Sequence, residues 1–149
     1  MNNLIEQLKI DEGYVGHVYP CSAGANTIGY GYNLDSNSLH LSSLEISHAF
    51  RKGMGEVEAE RLLILMIKKT IEELQGIFSN WNEISKPRQD ALTNMCFNLG
   101  VTRFLKFKKM IAYVEANDFV AASKEGLNSL WAKQLPARSK RVMDLLISG

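Results

Sequence analysis

Apolar residues recur at helical spacing along most of the chain, beginning at its first residues. Leu4, Ile5 and Leu8 form one apolar face, and Gly13 follows where a helix could end. The spacing therefore predicts a short first helix over residues 3–12.

A different pattern occupies residues 14–33, which are rich in β-branched and aromatic side chains around a turn at Gly24. Such residues favour strands. Gly29 and Gly31 leave one face of the second run bare, which is typical either of close approach by a ligand or backbone or of a bulge. We expect a small antiparallel sheet here.

The longest helical pattern runs over residues 56–79. Acidic residues such as Glu56 and Glu58 crowd its start, where the helix dipole favours them. The run Leu62–Ile67 is apolar all round, which indicates a helix packed on several sides. Both a helix bridging two lobes and a central core helix fit this pattern.

Further helices are predicted over residues 44–52, 87–99, 104–116, 118–127 and 136–147. With 149 residues, 46% of them hydrophobic and 22% charged, the chain has the composition of one compact globular domain. The fold class predicted is α+β, mostly helical with one small sheet near the amino-terminus.

Charge and cysteine content exclude several classes of protein. A formal net charge of +1 lacks the basic field of a nucleic-acid-binding protein. The two cysteines, Cys21 and Cys96, form neither a zinc motif nor a disulfide framework. The first residues do not resemble a signal peptide, and the longest apolar run is too short for a membrane span. We expect synthesis in the cytoplasm and no stable membrane insertion.

Glu12 is the first candidate for chemistry, because it lies at the carboxyl end of the first predicted helix. The helix dipole disfavours a second negative charge there, and burial beside Tyr14 or Tyr19 would disfavour it further. A carboxyl group that stays protonated near neutral pH suits the general acid of glycoside cleavage. Taken alone, a surface glutamate is the simpler interpretation.

The spacing around Glu12 resembles that of phage-type lysozymes of the T4 kind. Cys21 follows Glu12 after eight residues and Thr27 follows after five more. The family pattern is Glu, then Asp or in a subset Cys, then Thr. Similar blocks extend the resemblance over nearly the whole chain: residues 11–13, 27–31, 94–100 and 131–142.

The resemblance implies a single lysozyme domain over residues 1–149 with two lobes and a sugar-binding cleft between them. A sheet-containing lobe would occupy about residues 13–55, and an interlobe helix about residues 56–79. The helical lobe would combine residues 80–149 with the first helix, residues 3–12.

The resemblance also implies catalytic roles for Glu12, Cys21 and Thr27. A neutral thiol is a poor base for activating water, whereas a thiolate is a strong nucleophile that could attack the anomeric carbon and give retention. A space-filling Cys21 is the alternative. The Thr27 hydroxyl would hold a water or a sugar oxygen, although threonine is also an ordinary strand residue.

Four further residues are expected to bind or support the sugar chain. Arg138 lies in the first turn of a helix, where a cation is disfavoured, and the resemblance suggests that it pairs with Glu12. Asn98 and Gln134 are candidates for hydrogen bonds to hydroxyl and N-acetyl groups. Tyr32 stands where many family members have histidine.

The function implied is that of an endolysin, which hydrolyses the β-1,4 bond between N-acetylmuramic acid and N-acetylglucosamine in peptidoglycan and causes host lysis. It would need no metal or cofactor and would act as a monomer in the periplasm or wall, after a separate holin-type pore releases it. Two alternatives stay open: a lytic transglycosylase, and a wall-binding module with impaired catalysis.

Overall fold

The computed structural model describes residues 2–149 and confirms the α+β class. The elements in chain order are α1 (Asn2–Glu12), β1 (Val15–Pro20), β2 (Asn26–Gly29), β3 (Tyr32–Asn33), α2 (Ser43–Lys52), α3 (Glu56–Ile77), a short 3-10 helix (Trp81–Glu83), α4 (Lys86–Leu99), α5 (Val101–Phe104), α6 (Lys108–Glu115), α7 (Phe119–Leu127), α8 (Leu130–Gln134) and α9 (Pro136–Ser148). None of these helices combines the length and apolar character needed to cross a membrane.

The chain divides into two compact units, Met1–Lys68 and Lys69–Gly149. The first unit holds α1, the three strands, α2 and the beginning of α3. The second holds the end of α3 and all later helices. The lobe boundaries expected from the family resemblance stay a prediction.

The sheet of the first unit is antiparallel with the order β1-β2-β3. Its middle strand is the buried one, with Thr27 4% and Ile28 0% exposed. The predicted second run does not continue as one strand to residue 32, because Gly29 and Gly31 both have positive φ. Left-handed backbone of this kind suits a tight turn, so the two glycines turn the chain from β2 into β3.

Each unit has its own hydrophobic core. The first is built around Ile28, Tyr32 and Leu62. The second centres on α4, in which Leu92 and Met95 are fully buried. In α3, the apolar run from residue 62 to residue 67 packs on more than one side as expected, although Leu65 is 37% exposed.

The predicted helix over residues 104–116 is wrong at its start, because the chain is not helical between α5 and α6. The amides of Lys106 and Phe107 donate to the carbonyls three residues earlier, Arg103 and Phe104. The backbone thus tightens into turns, and a new helix begins at Lys108.

A close backbone contact connects β1 to the loop between α2 and α3. The Met54 amide donates to the Gly16 carbonyl at 2.9 Å, and the Tyr14 hydroxyl donates to the Met54 carbonyl at 2.5 Å. A Cβ atom on Gly16 would lie 2.6 Å from the Tyr14 hydroxyl, and one on Gly53 would overlap the Gly16 carbonyl. Glycine is therefore required at position 53, whereas a side chain at position 16 would displace the Tyr14 phenol.

We predict that Tyr14→Phe lowers the free energy of unfolding by about 1 kcal/mol, because it removes one intramolecular hydrogen bond. Gly53→Ala should cost about 2 kcal/mol or more, since it adds an overlap with backbone to a φ of 77°. Urea unfolding monitored by circular dichroism measures both values. Tyr113→Phe, a change at a 38% exposed tyrosine of the second unit, is the matched control. Equal losses for Tyr14→Phe and Tyr113→Phe would contradict the role of this contact.

Candidate active site

Glu12 is the last residue of α1, and its carboxylate lies beside the turn between β2 and β3. The helix ends there because Gly13 adopts a φ of 72°, with its amide donating to the Lys9 carbonyl at 3.0 Å. A Cβ atom on Gly31 would lie 3.5 Å from Glu12 Oε2. Because Gly31 has no side chain, it leaves space next to this carboxyl group.

Cys21 begins the turn between β1 and β2 and is half-buried. Hydrogen bonds from the Cys21 amide to the Ala25 carbonyl, 2.9 Å, and from the Gly24 amide to the Cys21 carbonyl, 2.8 Å, close the turn. The pKa of the Cys21 thiol is lowered below its usual value, mainly by the backbone N–H group of Ala23 and secondly by that of Ala25. This turn stabilises a thiolate, as backbone amides do in anion-binding turns.

Thr27 lies on β2 with its side chain 4% exposed, and its hydroxyl group, which can donate a hydrogen bond to the Cys21 sulfur, also lowers the pKa of the thiol. The hydroxyl donates to the Ala25 carbonyl at 2.9 Å. Because a hydroxyl has one proton, it cannot donate to the carbonyl and the sulfur together. Ionisation of Cys21 therefore favours rotation of the Thr27 hydroxyl toward the sulfur.

Tyr19 is a residue of this site that the sequence did not single out for function. It lies on β1 directly opposite Thr27 in the sheet. Burial raises the pKa of its phenol, and the nearby charges of Cys21 and Glu12 raise it further. Tyr19 is thus a neutral hydroxyl within the electrostatic field of both predicted catalytic groups.

Asp35 supplies a carboxylate at the same end of the sheet, but it is engaged in holding the backbone. It accepts from the Asn26 amide at 2.9 Å and from the Asn26 side-chain nitrogen at 3.1 Å, and these bonds lower the pKa of Asp35. Asn26 immediately precedes Thr27 on β2. Asp35 therefore stabilises the strand that carries Thr27. It does not take the place of Cys21, which occupies the second position of the Glu, Asp or Cys, Thr motif.

Tyr32 is buried, with 1% of its surface exposed. Its hydroxyl donates to Asn37 Oδ1 at 2.6 Å and accepts from the Leu39 amide at 3.1 Å. These bonds organise the loop after β3. The placement favours a supporting role for Tyr32, and contact with substrate stays a prediction.

The other predicted binding residues belong to the second unit. Asn98 Oδ1 accepts from the Trp131 indole at 2.8 Å, and Arg138 Nε donates to Asn94 Oδ1 at 3.0 Å. Asn94 and Asn98 lie one turn apart on α4, so α4 positions both pairs. Gln134 is exposed at the end of α8. The pairing of Arg138 with Glu12 and the sugar contacts stay predictions.

Comparison with known proteins decides the family. The family model described as phage lysozyme matches residues 9–147. The chain belongs to the phage lysozyme family. The family resemblance stated from the motif is therefore confirmed.

Individual relatives agree with this assignment. Probable T4-type lysozyme 2 of Dictyostelium discoideum is 30% identical, over the whole of this chain and 96% of that protein. Probable T4-type lysozyme 1 of the same organism is 28% identical with the same coverage. The pre-baseplate central spike protein Gp5 of Enterobacteria phage T4 is 28% identical over 99% of this chain, which spans only 28% of that protein.

Membership of the family makes this chain an enzyme, a muramidase with lysozyme-like activity on peptidoglycan. The matched region contains Glu12, Cys21 and Thr27. Within the first unit, Tyr19 lies opposite Thr27 in the sheet, and the charges of Glu12 and Cys21 raise the pKa of its phenol. These are groups that can donate a proton and form a covalent bond to carbon.

We predict that Cys21 reacts with iodoacetamide at lower pH than an ordinary thiol, and that Thr27→Val shifts this profile to higher pH because it removes a hydrogen bond to the thiolate. Mass spectrometry of peptides after timed alkylation measures the profile. Cys96 is the internal reference, since burial raises its pKa to about 12 and should keep it unmodified in the folded protein. Thr102→Val, at an exposed position, is the control substitution. An identical Cys21 profile in Thr27→Val would contradict the contact.

Proposed function

We propose that this protein is an endolysin that hydrolyses the β-1,4 bond between N-acetylmuramic acid and N-acetylglucosamine. The observation that carries the proposal is the turn whose backbone amides lower the pKa of the Cys21 thiol, in the same unit as Glu12. The family resemblance leaves Cys21 where an aspartate would otherwise stand. A nucleophile in place of a base accounts for activity without a second carboxylate.

In the first step, Glu12 donates its proton to the glycosidic oxygen while the Cys21 thiolate attacks the anomeric carbon. The carbon–oxygen bond breaks as a carbon–sulfur bond forms, and the leaving sugar departs as an alcohol. The product of this step is a thioglycosyl enzyme with Glu12 ionised.

In the second step, the Glu12 carboxylate takes a proton from water, whose oxygen attacks the same carbon and displaces the thiolate. Two inversions give net retention of configuration. The Ala23 and Ala25 amides that stabilise the thiolate make it a better leaving group in this step. The Thr27 hydroxyl serves the departing sulfur as a hydrogen-bond donor.

Biological setting forms part of the proposal. The protein would be made in the host cytoplasm, released by a separate holin-type pore, and act as a monomer on the wall to cause lysis. Family membership is what supports this setting. Lysis by the protein expressed alone, without any pore-forming protein, would contradict the dependence on a holin.

We predict that Glu12→Gln lowers the rate of clearing of outer-membrane-permeabilised Gram-negative cells by about 100-fold or more, the contribution typical of a general acid. Cys21→Ala should lose activity to a similar extent, whereas Cys96→Ala removes the other thiol and should retain it. Turbidity measures the rate, and circular dichroism shows whether each variant is folded. Equal clearing by Glu12→Gln and the unsubstituted protein would refute its role, and no clearing by either would favour a wall-binding module.

The stereochemistry of the product tests the nucleophile. We predict that the unsubstituted enzyme releases the β-anomer, while Cys21→Asp restores the commoner residue of the family pattern, remains active and releases the α-anomer. Proton NMR at early reaction times distinguishes the anomers. Inversion by the unsubstituted enzyme would contradict the covalent step, and a 1,6-anhydro product would identify a lytic transglycosylase.

A further inference from the structure

A cavity of about 460 Å³ lies within the first unit, between α2 and the beginning of α3. Leu44, Glu45 and His48 of α2 form part of its lining, and Glu58 of α3 contributes another part. The loop of residues 53–55, which joins the two helices, completes it. This volume is in the range of ligand sites, roughly 300–1,000 Å³. The cavity shares no residue with the candidate active site.

The loop that lines the cavity is held in place by β1. Its Met54 amide donates to the Gly16 carbonyl at 2.9 Å, and the Met54 carbonyl accepts from the Tyr14 hydroxyl at 2.5 Å. The two glycines of the loop add no side chain to the lining. Because hydrogen bonds already fix this part of the wall, the cavity needs little reorganisation when it is filled.

Apolar side chains are unusually exposed on the two helices that form the cavity. Leu44 is 80% exposed, Phe50 51% and Val57 86%. Half-buried Leu41 and Met54 add apolar surface to the lining itself. One exposed apolar residue is ordinary on a protein surface, but three within residues 44–57 beside an apolar cavity are typical of an interaction surface.

The charged groups of the lining are acidic. Within the described residues, Glu45 and Glu58 line the cavity, and no lysine or arginine does. Glu58 is paired through both oxygens with Arg61, whereas Glu45 uses Oε1 to accept from the Ser42 amide in the capping box of α2. The helix dipole favours acids at both positions, since each lies in the first turn of its helix. Glu45 Oε2 is therefore the acceptor that the cavity offers to a cation.

We propose that this cavity receives a lysine side chain from an apolar segment of another protein. The methylene stem of the lysine lies along Leu41 and Leu44, and its ammonium group donates to Glu45. Apolar neighbours of the lysine cover exposed Leu44 and Val57. Charge complementarity supports this partner, because the first unit has five Lys and Arg against eight Asp and Glu, a net −3. The contact is independent of bond cleavage.

Three blocked tripeptides test the chemistry of the partner, with lysine, norleucine or glutamate between two leucines. Norleucine keeps the stem of lysine and removes its charge. Chemical shifts of the backbone amides of residues 41–58 in the isotope-labelled full chain measure each Kd. The lysine peptide should bind about threefold more tightly than the norleucine peptide at low salt, from the usual strength of an exposed charge pair, and the glutamate peptide should bind most weakly. The preference should vanish near 1 M salt.

Variants of the lining separate charge from apolar contact. Glu45→Gln should abolish the preference for lysine and leave the norleucine peptide within twofold, because glutamine preserves the capping box. Retained binding of the norleucine peptide also shows that the cavity is intact. Glu115→Gln, at an exposed acid of the second unit, makes the same change in net charge and should leave the preference unchanged. Leu44→Ser should weaken the lysine and norleucine peptides alike.

Several outcomes would overturn the proposal. Equal binding of the lysine and norleucine peptides would remove the role of charge, and an unchanged preference in Glu45→Gln would remove that carboxylate. Binding of free n-butylammonium as tight as that of the lysine peptide would identify a small amine as the ligand. Self-association of the chain alone that Glu45→Gln abolishes, measured by sedimentation, would identify a second copy as the occupant. None of these measurements requires turnover, so each outcome leaves the proposed function untouched.

Discussion

The turn between β1 and β2 directs backbone amides toward one sulfur atom, and the chemistry available to the first unit depends on this contact. Two hydrogen bonds close the turn around Cys21, and the amides of Ala23 and Ala25 stabilise its anion. Amides fixed in a turn need no reorganisation when charge appears on the sulfur. β2 begins where the turn ends, so the same backbone that prepares the thiol also brings the Thr27 hydroxyl to it.

Most helices could be predicted from the sequence because the spacing of the apolar residues agrees with the glycine and proline residues that mark the helix ends. α4 has proline as its second residue and α9 begins with proline, and each buries a set of apolar residues, so their predicted bounds differ from the observed ones by a single residue. Where the signals conflict, prediction failed. Residues 105–107 contain no glycine or proline to mark the break before α6, and α8 has only five residues, too few to show a helical period.

Only part of the candidate site could likewise be predicted from the sequence. Glu12, Cys21 and Thr27 could be predicted because the intervals between them along the chain match the family pattern. Contacts between residues that are far apart in the sequence produce no pattern of this kind. The hydrogen bonds from Asn26 to Asp35 span a hairpin whose course depends on Gly29 and Gly31, which the sequence pattern assigned to a strand with either a bare face or a bulge. The role of Tyr19 depends likewise on strand register, since it faces Thr27 only once β1 and β2 are paired.

The contact between β1 and the loop after α2 makes two positions of the chain depend on each other. The phenol of Tyr14 occupies the volume in which a side chain at position 16 would begin, so the two positions constrain each other. A side chain at position 16 would therefore displace the Tyr14 phenol and break its hydrogen bond to the Met54 carbonyl. The effects of substitutions at positions 14 and 16 are thus coupled, because each depends on what the other position carries.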